Sequence, residues 1–137
     1  METLVFSLTL FFVVLFMFAG IMHILKPKVF KYFIPDYLPK RLVNYIAGGI
    51  EFFLGLGLIF SATVKIAALG IFFLMIIFLP IHIWDATKIR PAIGKKWIAY
   101  LRIPLQFVLM YIAYLIYTNS SYTMKKIFLL ITLSLLA

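Results

Sequence analysis

The sequence predicts an all-α transmembrane protein, a four-helix bundle of up-down topology, and three observations lead to that fold class. Of the 137 residues, 66% are apolar and only 12% are charged. A soluble domain carries roughly 45–50% apolar and about 25% charged residues, so this chain has too few polar side chains to cover a globule. The mean hydropathy is +1.15. The apolar residues also fall into four long runs, and the composition excludes a soluble enzyme and a disordered chain.

The four apolar runs predict four spanning helices in a single membrane domain, residues 1–137. The first run, 4–25, would extend about 33 Å as a helix, which is enough to cross a bilayer. It is too long for a signal-peptide core and lacks a basic start, so we expect it to be retained. Residues 127–137 would extend only about 16 Å, and an interfacial segment, a packed helix and a partial fifth helix all stay open for them. The other three predicted helices cover 42–60, 64–84 and 101–117.

The connection between predicted helices 1 and 2, residues 26–41, mixes lysines with aromatic and aliphatic side chains. Such a mixture is typical of a short segment that lies in the membrane interface, and Pro35 and Pro39 would break any helix there. The link between helices 2 and 3 is much shorter, residues 61–63, and it predicts a tight helical hairpin.

Lysine and arginine are unevenly distributed, and their distribution predicts an orientation. Five lie in residues 26–41 and five in 88–102, against three at the opposite helix ends, at Lys65, Lys125 and Lys126. The positive-inside rule then puts both basic loops in the cytoplasm and both termini outside. The net charge of +9 is therefore expected to lie next to the headgroups of the lipid bilayer, which is the predicted partner. No nucleic-acid partner is expected. Cysteine is absent, which excludes disulfides and thiolate metal sites.

A few polar residues interrupt the predicted helices, and they are the candidates for function. Glu51 is the deepest, about 13 Å from the start of helix 2 and close to the membrane midplane. An ionised carboxylate there must be paired, or lie beside water, or else be protonated. Glu51 shares a helix face with three other residues at spacings of four, three and four, which predicts one stripe facing the bundle. The stripe consists of Asn44, Gly48, Glu51 and Gly55.

We interpret Glu51 and His23 as a proton-handling pair with a catalytic or binding role, and the remaining polar residues as ligand-binding. A structural interpretation stays open beside this one, in which the polar groups only bond helices, loop carbonyls or headgroups, and Asp85 pairs with Lys88 or Arg102. No Glu-x-x-His or His-x-x-x-His spacing occurs, so no metal is expected. The ligand-binding candidates are His82, Gln106, Arg102, Asn44 and Asp85.

Five short motifs lie in the predicted helices and in the connection 26–41, and together they support a resemblance over about residues 4–118. They are Ala19-Gly20-x-x-His23, Ile34-Pro35-x-x-Leu38-Pro39, Gly49-x-Glu51, Phe78-Leu79-Pro80-Ile81-His82 and Arg102-Ile103-Pro104-Leu105-Gln106. In this order they resemble the DoxX-like family of small bacterial membrane proteins, although many of its members have Asn in place of His82. The resemblance implies a four-helix protein of the bacterial inner membrane, associated with quinone-linked redox steps or with assembly of other proteins.

Two functional hypotheses follow, and neither decides whether the protein is an enzyme. The first is an accessory of membrane redox metabolism that binds a quinone-like or lipidic ligand in a polar cavity on the cytoplasmic side, with quinone as the candidate cofactor. The second is a non-enzymatic assembly or interaction protein, with a structural polar cluster and a homo-oligomer or redox partner subunit as its partner. Small-solute transport ranks third, because so small a bundle has little room for alternating access.

Overall fold

The computed structural model describes the backbone of residues 1–137 and all side chains except those at 121–124, 126 and 127. Every regular element in this described part is a helix, which confirms the all-α prediction. The chain is 82% helical. A 3-10 turn, Lys31–Phe33, follows the second helix. The helices of the described chain are α1 (Glu2–Leu25), α2 (Pro27–Phe30), α3 (Lys40–Gly57), α4 (Val64–Thr87), α5 (Lys96–Thr118) and α6 (Ser120–Leu136).

Three of the described helices, α1, α4 and α5, are long and apolar enough to cross a membrane. Many of their large apolar side chains face outward; Phe18 on α1 and Ile77 on α4 are 60% and 63% exposed. An outer surface of this kind is stable against lipid and not against water. The predicted fourth span, α3, does not share this property, because its 18 residues include Lys40, Arg41 and Glu51. The structure therefore supports three candidate spans, and the predicted four-helix bundle is not established.

The helix ends differ from the predicted ones where polar residues continue a helix. Helix α5 begins at Lys96 and not at residue 101, and α4 continues to Thr87 and does not end at residue 84. In both cases charged and polar residues at the helix end extend the helix without extending the apolar run. Helix α3 ends at Gly57, three residues early, and the hydroxyl of Thr63 donates a hydrogen bond of 2.7 Å to the Gly57 carbonyl there. Residues 127–136, left unassigned by the sequence, belong to α6, which begins at the polar Ser120.

Helix α1 packs antiparallel along α3, and glycines allow the two backbones to approach closely. A Cβ atom added to Gly20 would lie 2.5 Å from the Gly48 carbonyl oxygen, and one added to Gly48 would lie 2.5 Å from the Cβ of His23. At the other end of the pair, Gly55 faces Met17. In α3, whose side chains are all described, the buried residues are Asn44, Gly48, Glu51 and Gly55, which confirms the predicted stripe.

Helices α4 and α5 form the second antiparallel pair, and an apolar core fills the part of the protein where α3 ends and α4 begins. Phe12, Leu58, Ala68, Ile71, Ala113 and Ile116 are each fully enclosed in this core. The opposite end, where α1 ends and α3 begins, has a different character. There the segment 26–39, with α2 and the 3-10 turn, lies across the helix ends, and the polar side chains are found beneath it.

Candidate ligand-binding cavity

His23, at the end of α1, is held by Asn44, in the first turns of α3. The Asn44 amide nitrogen donates to the His23 carbonyl oxygen at 2.7 Å, and the Asn44 amide oxygen lies 2.6 Å from Nδ1 of the His23 ring. Because the amide nitrogen is the donor in the first bond, the amide oxygen is the acceptor in the second, so His23 Nδ1 carries a hydrogen. This double hydrogen bond fixes the direction of the ring and leaves Nε2 for Glu51.

Glu51 Oε2 lies 3.2 Å from His23 Nε2, and both residues are buried. This is ion-pair distance, and no other atom of the described residues offers Oε2 a hydrogen bond. With Nδ1 already protonated, the two atoms can lie this close at low cost only when one proton is shared between them. A neutral acid facing a neutral imidazole and a carboxylate facing an imidazolium both satisfy this condition, and both have zero net charge.

Two phenylalanines of the segment 26–39 cover this polar cluster. The Phe30 ring stacks on the His23 ring, with centroids 3.7 Å apart and planes 19° apart. The Phe33 ring lies under the Arg102 guanidinium, and the ring centre is 4.7 Å from the central carbon of that group. Sequence reasoning counted both residues as interfacial apolar side chains and missed these contacts. Their spacing of three, on a segment rich in lysine, was the only available signal.

The same segment is fastened to α4 and α3 by lysine side chains. Lys88 Nζ donates a hydrogen bond of 2.7 Å to the Tyr32 carbonyl and lies 3.8 Å from the centre of the Trp84 ring. At the other end of the segment, Asp36 accepts a hydrogen bond from Lys40 Nζ, 2.6 Å away, and this bond and the lysine charge lower the pKa of Asp36. The segment is thus a cover with defined attachments.

A cavity of about 420 Å³ lies under this cover, between α1, α3, α4 and α5. Apolar side chains form most of its wall, among them Phe16, Phe78 and Leu109. Six of the seven polar residues singled out from the sequence also line it, so tertiary packing brings them together: His23, Asn44, Glu51, His82, Arg102 and Gln106.

Besides the Glu51–His23 pair, two of these residues present a buried polar atom without a hydrogen-bond partner among the described residues: His82 Nδ1 and Arg102 Nη1. Leaving such an atom unpaired costs about 1–3 kcal/mol, more for a charged group, so water or a ligand usually satisfies it. Gln106 is different, because its amide nitrogen donates to the Met75 carbonyl at 3.0 Å and lies 3.2 Å from the Met75 sulfur.

Asp85 does not line the cavity, so it is not among the predicted ligand-binding residues that the structure brings together there. Its Oδ1 accepts a hydrogen bond of 2.7 Å from the Ala92 amide and lies 3.3 Å from Lys88 Nζ. This confirms the alternative pairing with Lys88. The loop after α4 folds back onto the carboxylate, and adjacency in sequence to His82 could not reveal that. No group of three or more His, Asp or Glu side chains able to hold a metal ion occurs in the part of the chain described.

Comparison with known families corrects the predicted relationship. Residues 12–117 match a family described as Domain of unknown function (DUF8561). No curated protein and no solved structure matches the chain. The assignment to the DoxX-like family is therefore wrong, and the redox role it implied loses that support. Its motifs are short and rely on Gly, Pro, His and Arg, residues that many helical membrane proteins use for close packing and for headgroup contact. The match covers most of the sequence, and the chain belongs to the family described as Domain of unknown function (DUF8561).

Proposed function

We propose that the protein is a multi-pass membrane protein that binds an amphipathic molecule, lipidic or quinone-like, with its headgroup in the cavity beneath the segment 26–39. One observation carries the proposal: the unpaired polar atoms of His82 and Arg102, together with the Glu51–His23 pair, border one otherwise apolar cavity. Its volume of about 420 Å³ lies within the range of small-molecule sites, about 300–1,000 Å³. Apolar walls with a few convergent polar groups suit a ligand with a polar head and an apolar tail.

The side chains divide between the two parts of such a ligand. Arg102 and His82 offer hydrogen bonds to the headgroup, while Phe16, Phe78 and Leu109 surround the tail. The Glu51–His23 pair shares a proton within reach of the headgroup, and Asn44 orients the His23 ring through its Nδ1 atom. Whether the proton is transferred to the ligand decides between binding and catalysis.

The arrangement in the membrane is part of the proposal. Helix α3 would be the fourth helix of an up-down bundle, because it packs along α1, its Glu51 is paired with His23, and its Lys40 and Arg41 lie in the first turn. The excess of lysine and arginine in 26–41 and 88–102 supports cytoplasmic loops and external termini. Of the three basic residues on the other side, Lys126 lies outside the side chains that the structure describes.

Binding can be tested with the purified full chain in dodecyl maltoside. Decylubiquinone and lysophosphatidic acid are titrated separately, with bound copies counted by native mass spectrometry. We expect saturable binding of at least one of them at a single site. Leu109→Trp would fill the cavity and abolish that binding, whereas Leu101→Trp, on the same helix but 56% exposed, would leave it unchanged. Binding that is equally sensitive to both variants, or absent for both probes, would refute the proposal.

A second candidate is an assembly or interaction protein in which the polar cluster is structural, docking a redox partner subunit or a second copy. The two hydrogen bonds between Asn44 and His23 favour it, because they join α1 to α3 with or without a ligand. Glu51→Gln distinguishes the two candidates. A lower unfolding temperature with unchanged probe affinity would favour the structural role, and a loss of affinity with an unchanged unfolding temperature would favour ligand binding.

A further inference from the structure

We infer that the headgroup taken by this cavity is an oxyanion, a carboxylate or a phosphate, and not the uncharged ring of a quinone. The inference rests on the proposed function, because it names the class of amphiphile for the same cavity. The observation that carries it is the charge left over when the side chains around the cavity are paired.

The charged groups of the cavity wall do not balance. His23 and Glu51 lie 3.2 Å apart, which at one shared proton leaves them with zero net charge. Arg102 also lines the cavity, and it has no carboxylate within ion-pair distance among the described residues. With His82 either neutral or positive, the wall carries at least one uncompensated positive charge.

Asp85 is the remaining acid near Arg102, and one of its two oxygens is engaged by other groups. Its carboxylate acts on Arg102 through its field, but its Oδ1 contacts Lys88 Nζ and the Ala92 amide and it lies outside the cavity wall. Its Oδ2 is buried without a hydrogen-bond partner, but this one carboxylate stands against two cations, so Asp85, Lys88 and Arg102 together keep one net positive charge. A buried or half-buried cation without a counter-ion is unfavourable, and an anionic headgroup would supply the missing charge.

The geometry of Arg102 also suits an oxyanion. The Phe33 ring covers the guanidinium, 4.7 Å from its central carbon, and its Nη1 atom is buried without a partner. Stacking on an aromatic ring occupies a face of a guanidinium and leaves the donors along its edge, which are the groups that bind carboxylate or phosphate through two parallel hydrogen bonds. His82 Nδ1 is a further unpaired atom of the same cavity, and the His82 residue is only 9% exposed.

The surroundings of the cavity favour the same charge. The segment that covers it and the chain around the start of α5 carry exposed basic side chains, at Lys28, Lys31, Lys95 and Lys96. A cluster of one sign beside a low-dielectric cavity raises the local concentration of ligands of the opposite sign. An anionic amphiphile in the bilayer surface would be attracted to this end of the protein, whereas a neutral one would not.

The test uses pairs of amphiphiles that differ only in the charge of the headgroup. Lysophosphatidic acid is compared with the monoacylglycerol of the same acyl chain, and palmitate with 1-hexadecanol, at a pH where both acids are ionised. The full chain in dodecyl maltoside is titrated with each, and bound copies are measured by native mass spectrometry. Hydrogen bonds to a charged group predict that at least one acid binds about tenfold or more tightly than its neutral partner. The two pairs show whether phosphate or carboxylate is preferred.

Variants assign the preference to Arg102. Arg102→Gln is expected to reduce the difference between acid and neutral partner to less than about threefold, and Arg102→Lys to keep part of that difference. Arg90→Gln removes the same charge from an exposed position in the loop after α4 and should leave the preference intact.

Each alternative result is decisive. Equal affinity for acid and neutral partner would overturn the inference and leave the proposed binding function standing. An equal loss of preference in the Arg90 and Arg102 variants would show adsorption to the basic surface, which also overturns it. Absence of binding by all four amphiphiles, with decylubiquinone bound, would overturn the oxyanion assignment alone; absence of binding by every probe would overturn both proposals.

Discussion

Replacing Gly48 by alanine should loosen the α1–α3 pair, and the size of the effect follows from one distance. The added Cβ would lie 2.5 Å from the His23 Cβ, at least about 1 Å closer than two carbon atoms in favourable contact. Neither atom can rotate away, because a Cβ position is determined by its backbone. The two helices must therefore separate, and the His23–Asn44 hydrogen bonds of 2.6 and 2.7 Å one turn away would lengthen with them.

Three contributions set the magnitude. Overpacking costs about 1–3 kcal/mol, and weakening two buried hydrogen bonds adds about 1 kcal/mol for each. The higher helix propensity of alanine returns about 1 kcal/mol. The expected loss in the free energy of unfolding is therefore about 2–4 kcal/mol.

The adjacent glycine provides a matched control, because a Cβ at Gly49 would meet no atom within 4 Å. Gly49→Ala should stabilise the protein by about 0.5–1 kcal/mol through helix propensity alone. Both variants are unfolded with sodium dodecyl sulfate from dodecyl maltoside micelles, with the fluorescence of Trp84 and Trp97 as the signal. Opposite shifts of the midpoint are expected. Equal shifts, or an unchanged midpoint for Gly48→Ala, would refute the close packing on which the reasoning depends.

Three further predictions concern the polar cluster, the cover and the topology. Asn44→Ala leaves Nδ1 and the carbonyl of His23 unpaired, so the free energy of unfolding should fall by about 2–4 kcal/mol in the same assay; a fall below about 0.5 kcal/mol would contradict this. Lys88→Met keeps an apolar stem beside Trp84 but removes the hydrogen bond to Tyr32. Backbone amides of 27–39 should then exchange hydrogen at least about tenfold faster, measured by mass spectrometry, with Lys95→Met as the exposed control; equal rates would show that Lys88 does not fasten the cover. Because the chain has no cysteine, single cysteines at Lys95 and Ala62 should react with an impermeant maleimide from the cytoplasmic and the external side respectively, and the reverse pattern would invert the topology.

The buried face of α3 could be predicted from the sequence alone. Asn44, Gly48, Glu51 and Gly55 are small or polar residues at spacings of four, three and four, and such spacings place residues on one face of a helix. Glu51 could be singled out for the same reason, since a carboxylate within an apolar run needs a partner. The helix ends were less predictable, as at Lys96, because apolar runs mark membrane contact and not the limits of hydrogen bonding.

What the sequence by itself determined was the helical class, the apolar exterior and the identity of the few polar residues available for function, because these depend on composition and on the period of one helix. Only the tertiary structure decided which of them share a site. It joined Glu51 and Arg102 to one cavity and left Asp85 outside the cavity wall, where the loop after α4 returns to bond one oxygen of that carboxylate. It also brought Phe30 and Phe33 over His23 and Arg102. Such contacts depend on how separate helices pack and on where a connecting segment folds, and neither is encoded in local periodicity.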